Sequence, residues 1–312
     1  MMHRLHLFLL SLALCSLGLL AHADTRVVIV SSDSTAAYMD AAQSLTTELV
    51  RSGVSPYDIR RLSVPEWAAQ SGQAPQPRIY VALGTQATAA LAASPLPAPV
   101  LAALIPRNSF ERVLRGSARK ASSEFSAIYL DQPLQRQLAM IRLALPQAKN
   151  LGVLWGPDSW PNAPALRTLT TGAGLSLTEA GLEGEFNVFP DFQQVLNSSD
   201  VFLALADPLV FNSNTIQNIL LSTFRARVPV VAFSPAYVRA GALLALHATP
   251  EQVGRQTAAL VQTVLRGKPL PENPVESNDF EVSVNTHVAR ALNLSLDGKA
   301  LRLALRRLEN LP

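Results

Sequence analysis

Short apolar runs alternate with longer amphipathic segments along most of the chain. The run at residues 26–30 is almost continuously apolar, as expected for a parallel strand whose two faces are both buried. The segment at residues 35–51 carries apolar residues at helical spacing and ends before Gly53. Repetition of this strand-then-helix pattern predicts an α/β fold built on parallel sheets with crossover helices.

The pattern also gives the bounds of most elements. The predicted strands cover residues 26–30, 58–64, 79–83, 99–105, 151–155, 176–182, 201–205, 228–233, 242–248 and 280–284. The predicted helices cover residues 35–51, 84–93, 133–145, 165–172, 191–196, 214–226, 250–265 and 286–292. The alternation is interrupted near residues 123–129 and then starts again, without a repeat of fixed period. Two successive α/β halves predict two Rossmann-like lobes.

The N-terminus has the pattern of a secretory signal peptide. Arg4 supplies a basic start, residues 7–20 form an apolar run, and residues 21–23 (Ala-His-Ala) are a small-residue cleavage pattern. The apolar run is shorter than the ~20 residues that a membrane-spanning helix needs. A leucine precedes Cys15 where the lipid-attachment pattern has a small residue, which disfavours a lipid anchor. We therefore expect cleavage after Ala23 and a soluble protein in the periplasm.

Composition excludes several classes of function. Of the 312 residues, 48% are hydrophobic and 16% are charged, which is ordinary for a globular protein. A formal net charge of +3 at pH 7 is too small to indicate nucleic-acid binding. The only cysteine, Cys15, lies in the predicted leader, and the only histidines beyond the leader, His247 and His287, lie in separate elements. We therefore predict no disulfide, no metal site and no cofactor.

The sequence lacks the motifs of the common catalytic classes. It has no Gly-x-Ser-x-Gly elbow, no phosphate-binding P-loop and no Gly-x-Gly-x-x-Gly turn. Carboxylate, lysine and serine chemistry stays open, but no constellation of residues points to it. We therefore expect a protein without enzymatic activity and assign no catalytic residue.

The stretch from residue 200 to residue 296 carries turn and strand residues in a distinctive order. They are Asp207, Val228-Pro229-Val230-Val231, Ser234, Gly241-Ala242, Gly254-Arg255-Gln256, Gly267-Lys268 and Asn285. In this order they resemble the C-terminal part of the periplasmic substrate-binding proteins of ABC importers, in the subgroup linked to aromatic amino acids and related small molecules. The resemblance implies the type I periplasmic-binding-protein fold. In that fold two Rossmann-like lobes, each a parallel sheet with flanking helices, are joined by a hinge of three chain crossings.

The resemblance also implies a division of the chain and a function. Lobe 1 takes residues 24–124 and 236–268, and lobe 2 takes residues 125–235 and 269–312. The implied function is capture of a small molecule, such as an aromatic amino acid or a similar planar carboxylate, between lobes that close by hinge motion. The implied partner is an ABC permease in the inner membrane, and the implied state is a monomer. A periplasmic sensory or partner-binding protein of the same fold, without a dedicated importer, is the alternative.

Ligands of such proteins bind outside the carboxyl ends of the strands, so the loops that follow strands hold the candidate residues. Ser32 and Ser34 follow the first strand, where hydroxyl groups and helix-start amides suit an anionic ligand group. The same serines also suit a simple helix cap. Gly84 and Thr85 follow the third strand, where glycine permits close backbone approach and threonine offers a hydroxyl. Many strand-to-helix turns share this second pattern.

Four candidates lie in the second half of the chain. Asp207 follows the strand at residues 201–205 and matches the family's acidic position, where it suits a ligand ammonium or N–H. It also suits a plain Asp-Pro turn. Ser234 and Tyr237 follow a later strand as a hydroxyl donor and a stacking ring, or as packing residues. Trp155 ends another strand, where it either covers a planar ligand or lies at the interface between the lobes.

The loop after the fourth strand departs from the family's pattern. Family members have an Asp-Pro-containing loop and then a stretch rich in glycine and asparagine, whereas this chain has Ile-Pro-Arg-Asn-Ser at residues 105–109. Arg107 is the candidate residue there, because a guanidinium pairs well with a carboxylate. The departure leaves the identity of the ligand open, and it is one of the features that favour the sensory alternative.

Overall fold

A computed structural model describes residues 26–70, 76–182 and 188–310 of the chain. The predicted signal peptide, residues 1–23, lies outside the described residues. Within the described residues, no helix has both the length and the apolar character that crossing a membrane requires.

The first sheet has five parallel strands. Their order across the sheet is β2-β1-β3-β4-β5, and their bounds are β1 (Val27–Ser31), β2 (Ile59–Ser63), β3 (Ile79–Leu83), β4 (Val100–Ile105) and β5 (Phe125–Tyr129). Successive residues of β1 enter different cores, because Val27 and Ile29 belong to the cluster on one face and Val28 and Val30 to the cluster on the other. Burial on both faces explains why this strand reads as a continuous apolar run.

The second sheet has six strands in the order β11-β10-β9-β8-β6-β7. Their bounds are β6 (Asn150–Trp155), β7 (Ser176–Gly181), β8 (Val201–Leu203), β9 (Val230–Ala232), β10 (Leu244–His247) and β11 (Glu281–Val284). All neighbours are parallel except β11, which pairs antiparallel with β10. The prediction of two α/β lobes with parallel sheets and flanking helices is therefore confirmed.

Helices cover both faces of the two sheets. They are α1 (Ala36–Arg51), α2 (Val64–Ala69), α3 (Thr85–Ala92), α4 (Arg107–Arg115), α5 (Leu134–Ala144), α6 (Ala163–Gly172), α7 (Val188–Asn197), α8 (Ile216–Arg225), α9 (Pro235–Ala240), α10 (Pro250–Leu265), α11 (Thr286–Ala291) and α12 (Gly298–Leu308). A capping box formed by Thr249 and Gln252 sets the start of α10. This helix packs closely on α1, where a Cβ on Gly254 would lie 2.5 Å from the carbonyl oxygen of Ala41.

The chain crosses between the sheets three times. It leaves the first sheet after β5, returns after β10 to place α10 on α1, and leaves again to form β11. The third crossing lies beside β5, because Tyr129 N–H donates to the Val275 carbonyl and Val275 N–H donates to the Ala127 carbonyl, both at 2.8 Å. These bonds hold the first and third crossings together at one side of the space between the lobes.

The predicted division into lobes assigns the strands β5 and β10 to the wrong sheets. The division began lobe 2 at residue 125, but β5 pairs with β4 in the first sheet. It also gave residues 236–268 to lobe 1, but β10 pairs with β9 in the second sheet. The reason is that a crossing occurs where the hydrogen-bonded ladder ends, and the polar-apolar pattern does not record which ladder a strand joins.

The segment after β4 is a helix rather than the predicted loop. Pro106 precedes α4, and the ring of Phe110 is fully buried between α4 and the first sheet. That ring stacks on Phe125 at 5.7 Å between centroids and meets Tyr129 edge-on at 6.0 Å. The partly buried Val113 and Leu114 pack on the same core as Phe110, and the i, i+3, i+4 spacing of these three residues is a helical signal that the prediction of a loop overlooked. Arg107 is consequently the first residue of a helix.

Candidate functional site

A cavity of about 490 Å³ lies between the two sheets, against the chain crossings. Pro106 and Leu130 bring the ends of β4 and β5 to it, and Ala206 and Ser234 bring the segments after β8 and β9. The cavity is therefore bounded by the carboxyl ends of strands from both lobes, which is where open α/β sheets hold ligands.

Three charged residues line this cavity, among the residues that the structure describes: Arg107, Asp131 and Glu276. The backbone N–H of Arg107 donates to Asp131 Oδ2 at 2.7 Å, and its Nη2 donates to Glu276 Oε1 at 3.0 Å. Its guanidinium also lies 4.4 Å from the ring centre of Tyr129. One guanidinium faces two carboxylates, so the formal charge of the wall suits a ligand that brings a cationic group.

Burial shifts the titration of two groups beside Arg107. Desolvation raises the pKa of Asp131, and the hydrogen bond from the Arg107 N–H and the nearby guanidinium oppose that rise. Desolvation likewise raises the pKa of Tyr129 to about 12, with Arg107 again acting in the opposite direction. A cationic ligand group next to Asp131 would favour its charged form, as a second positive charge always does for a carboxylate.

Helix α4 closes one side of the cavity by direct contacts between the lobes. Asn108 Nδ2 donates to the Ala206 carbonyl at 2.8 Å. One turn further along, the Arg112 guanidinium pairs with the Asp158 carboxylate in the loop after β6. The two lobes therefore touch through α4 as well as through the three crossings.

Two of the predicted site residues, Arg107 and Ser234, line this cavity. Ser32 and Ser34 line a separate groove of about 420 Å³ at the ends of β1 and β2. Ser32 Oγ accepts a hydrogen bond from the Ala87 N–H at 2.9 Å and so ties the first loop to α3.

The predicted pair Gly84 and Thr85 lies next to this groove, at the start of α3. Gly84 has φ 88°, a left-handed conformation that disfavours other residues. A Cβ there would also lie 2.6 Å from Tyr38 Cε1. The ligand roles of Ser32, Ser34, Gly84 and Thr85 stay predictions, and the structure does not bring them together with Arg107 and Ser234.

The other three candidates are engaged within the second lobe. Trp155 is fully buried and its Nε1 donates to Glu179 Oε2 at 2.6 Å. Tyr237 is half-buried against Phe233, with 4.8 Å between ring centres. Asp207 is buried, and its two oxygens accept from the backbone N–H groups of Ser159 at 2.8 Å and Leu209 at 3.0 Å. The ligand roles of these three residues also stay predictions.

Sequence reasoning missed Asp131, Gln132 and Glu276, all of which line the cavity. Asp131 and Gln132 directly follow an apolar run and precede Pro133, a pattern that indicates a strand-end loop. That signal could have marked the first two residues as candidates. Glu276 has no local signal, because its place depends on the third crossing packing beside β5.

The buried position of Asp207 leads to a prediction about stability. Replacing Asp207 with alanine removes the acceptors of two backbone N–H groups, so we expect the free energy of unfolding to fall by about 2–3 kcal/mol. Urea denaturation measures this, with Asp207→Asn as a control that keeps one acceptor and loses less. A variant of unchanged stability that binds its ligand more weakly would instead assign Asp207 to the ligand site.

The fold and the cavity define a class of protein: a two-lobe α/β protein with a cavity of small-molecule size between its sheets. Residues 66–307 match the family of ABC transporter substrate binding proteins, and the chain belongs to this family. It is therefore a substrate-binding protein of the ABC transporter type, as its resemblance to that family predicted. No group of three or more potential metal ligands comes together in the described ranges.

One curated relative is a tyrosine-binding protein of Clostridioides difficile strain R20291. It is 22% identical over 165 residues, which are 52% of this chain and 47% of the relative. The matched region thus spans about half the length of that protein.

Solved structures share the fold. A substrate-binding protein with adhesive properties from Clostridium difficile, in an open form, matches with TM-score 0.69 and 18% identity over 88% of this chain and 96% of its own. An ABC domain from Streptococcus pneumoniae in complex with L-Trp matches with TM-score 0.60 and 16% identity over 89% of this chain and 97% of its own. At this level of identity the likeness concerns the fold alone.

Proposed function

We propose that this protein captures an amino acid, with an aromatic or similar planar side chain, between its two lobes and presents it to an ABC importer. The observation that carries the proposal is the cavity of about 490 Å³ whose wall holds the carboxylates of Asp131 and Glu276 beside the guanidinium of Arg107. A wall with both signs of charge and a negative balance suits a zwitterion that brings its own ammonium group.

The cavity also has the size and the apolar surface for such a ligand. Its volume lies within the range of about 300–1,000 Å³ that small-molecule sites occupy. Leu130, Leu205 and Phe233 line it and provide an apolar surface for the side chain. The hydroxyl of Ser234 and the guanidinium of Arg107 are available to the ligand carboxylate, which accepts strong charge-assisted hydrogen bonds.

The relatives support the same ligand class. One is a tyrosine-binding protein, and one solved structure of the same fold holds L-Trp. Membership of the substrate-binding family supports the further parts of the proposal, namely a permease partner in the inner membrane and a periplasmic location. We extend the proposal to a monomer that binds its ligand without changing it chemically.

A thermal-shift screen tests the ligand class. Protein comprising residues 24–312, unfolded and refolded to remove carried-over ligand, is screened with L-tyrosine, L-tryptophan, L-phenylalanine, branched amino acids, purines, pyrimidines and small carboxylates. A ligand at ~100 times its dissociation constant adds ~2.7 kcal/mol of stability. We expect aromatic amino acids to raise the unfolding temperature. Tyramine and N-acetyl-L-tyrosine, which each lack one charge of the zwitterion, should raise it less.

The opposite outcome is equally informative. A flat panel with well-folded protein would contradict the proposed capture of an amino acid. It would favour the alternative of a sensory or partner-binding protein of the same fold. If L-tyrosine and tyramine raise the unfolding temperature equally, the result would be consistent with the ammonium contact but would contradict recognition of the carboxylate.

A further inference from the structure

Helix α4 joins the two lobes through two side chains on one of its faces. Asn108 and Arg112 are four residues apart, so they lie one above the other on the helix. Asn108 Nδ2 donates to the Ala206 carbonyl after β8 at 2.8 Å, and the Arg112 guanidinium pairs with the Asp158 carboxylate after β6. Strands β6 and β8 are neighbours in the second sheet. The two contacts therefore dock one face of α4 on the carboxyl ends of adjacent strands.

The ion pair of Arg112 and Asp158 lies beside the cavity and not in its wall. Asn108 lines the cavity, and so does Ser159, which follows Asp158 in the chain. Among the residues that the structure describes, neither Arg112 nor Asp158 belongs to the lining. A substitution at Arg112 can therefore change the arrangement of the lobes without removing a contact to a molecule in the cavity.

Each partner of this ion pair is fixed to its own lobe. On the side of α4, the ring of Phe110 is fully buried in the core of the first lobe and anchors the helix. On the other side, the Ser159 N–H donates to Asp207 Oδ2 at 2.8 Å, and the Gly156 N–H donates to Ser159 Oγ at 3.0 Å. A hinge motion that separates the lobes therefore pulls the two charged groups apart.

All the groups in these two contacts belong to the protein, so the contacts do not depend on a ligand. The Arg112 side chain is 49% exposed and that of Asp158 is 19% exposed. An ion pair of this exposure contributes modestly to stability and is weakened by salt. Two conformations of a protein commonly differ by only a few such contributions, so the pair is strong enough to shift their populations.

We propose that Asn108 and Arg112 form a latch that favours the closed arrangement of the lobes, in which α4 touches the second sheet. The closed arrangement brings the walls of the cavity together, so the ligand affinity is scaled by the fraction of the protein that is closed. The latch itself does not rest on the proposed function, whereas its effect on the affinity for an amino acid does. Helix α4 thus sets affinity separately from the recognition of any particular ligand.

Small-angle X-ray scattering tests the latch without a ligand, on protein refolded to remove any carried over. Arg112→Asp sets two carboxylates against each other, so the radius of gyration should increase. The exchanged pair, Arg112→Asp with Asp158→Arg, should restore the wild-type radius, because opposite charges face each other again. Arg115→Asp is the matched control, since Arg115 is exposed on the same helix and the change in charge is the same. This control should keep the wild-type radius, and circular dichroism checks that each variant is folded.

Calorimetric titration measures the effect of the latch on binding. Arg112→Ala should raise the dissociation constant of each aromatic amino acid that the wild type binds by about two- to fivefold, the range typical of a partly exposed ion pair. The factor should be the same for each ligand, because none of them touches Arg112. Added salt should weaken binding by the wild type more than binding by Arg112→Ala. Arg115→Ala should leave the dissociation constants unchanged.

Failure of the latch and failure of the proposed function give different results. An unchanged radius of gyration in Arg112→Asp, or an unchanged dissociation constant in Arg112→Ala, would overturn the latch and make the pair a surface contact. Factors that differ widely between ligands would also overturn it, because they would show that Arg112 acts on the ligand directly. A wild-type protein that binds no amino acid, with a larger radius in Arg112→Asp, would instead contradict the proposed function and support the latch.

Discussion

Replacing Asp131 with asparagine is expected to raise the dissociation constant for L-tyrosine by about 10- to 100-fold, because a hydrogen bond to a charged group contributes about 1.5–3 kcal/mol. The variant keeps an oxygen that can accept from the Arg107 N–H, so the local backbone contact survives. What the variant loses is the negative charge that we propose as the partner of the ligand ammonium. Calorimetric titration of wild-type and variant protein measures the difference.

The same substitution should act in the opposite direction on stability. Burial raises the pKa of Asp131 in the folded protein, so the folded state binds its proton more tightly than the unfolded state does. Stability from this group is fully present below the unfolded pKa and is lost as the pH rises through the raised folded value. At neutral pH the charged carboxylate therefore costs stability, and Asp131→Asn should unfold at a higher temperature than the wild type when no ligand is added.

The affinity for the ligand should depend on pH through the same group. Lowering the pH through the raised pKa of Asp131 protonates the carboxylate and removes the partner of the ammonium, so the affinity for L-tyrosine should fall. Arg107 and Glu276 also act on Asp131, and both stay in place in Asp131→Asn. The variant should therefore lose most of this pH dependence.

A matched control is Asp33→Asn, in the separate groove that Ser32 and Ser34 line. This control makes the same chemical change outside the cavity between the lobes, and we expect it to leave the affinity unchanged. Loss of affinity in Asp33→Asn but not in Asp131→Asn would move the ligand site to the ends of β1 and β2.

Replacing Gly254 with valine is expected to lower the free energy of unfolding by about 3 kcal/mol, at the upper end of the usual cost of overpacking. A Cβ at this position would lie 2.5 Å from the Ala41 carbonyl, 2.8 Å from Ser44 Cβ and 3.0 Å from the Leu45 nitrogen. Two of these atoms belong to the backbone of α1 and cannot move aside as a flexible side chain can. The substitution therefore pushes α10 away from α1, and with it the second crossing between the lobes.

Alanine substitutions at Gly172 and at Gly254 supply the control for this prediction. Gly172 lies at the end of α6 with open space around its Cβ position, so Gly172→Ala should leave stability unchanged or raise it by up to about 1 kcal/mol. Gly254→Ala should already destabilise the protein, since even a methyl group meets the α1 backbone. Equal urea denaturation midpoints for the two alanine variants would show that α1 and α10 are not in close contact.

The sequence predicted the parts of the fold whose patterns are local. Strands β1 and β3 are buried on both faces and read as continuous apolar runs, and Pro250 marks the start of α10. Helix α4 was not predicted although Phe110, Val113 and Leu114 have helical spacing, because these are its only three apolar residues and the rest of the segment is polar. The strands β5 and β10 were assigned to the other lobe because hydrogen-bonded ladders join residues that are distant along the chain.

The candidate site was less predictable for the same reason. The rule that ligands lie beyond strand ends found Arg107 and Ser234, which line the cavity. The same rule did not show whether an acidic residue such as Asp207 binds a ligand or holds the backbone. In the structure its carboxylate accepts a hydrogen bond from the Ser159 N–H. Glu276 meets Arg107 only because the third crossing runs beside β5, and no local pattern could place it there.

Hydrogen-deuterium exchange of the protein with and without L-tyrosine tests most directly whether a small molecule is held between the two sheets. We expect slower exchange with L-tyrosine in peptides from both lobes and from the crossings, at residues 105–110, 130–137, 158–165 and 204–207. Protection confined to residues 31–39 and 84–88, or no protection by a ligand that binds in calorimetry, would contradict it.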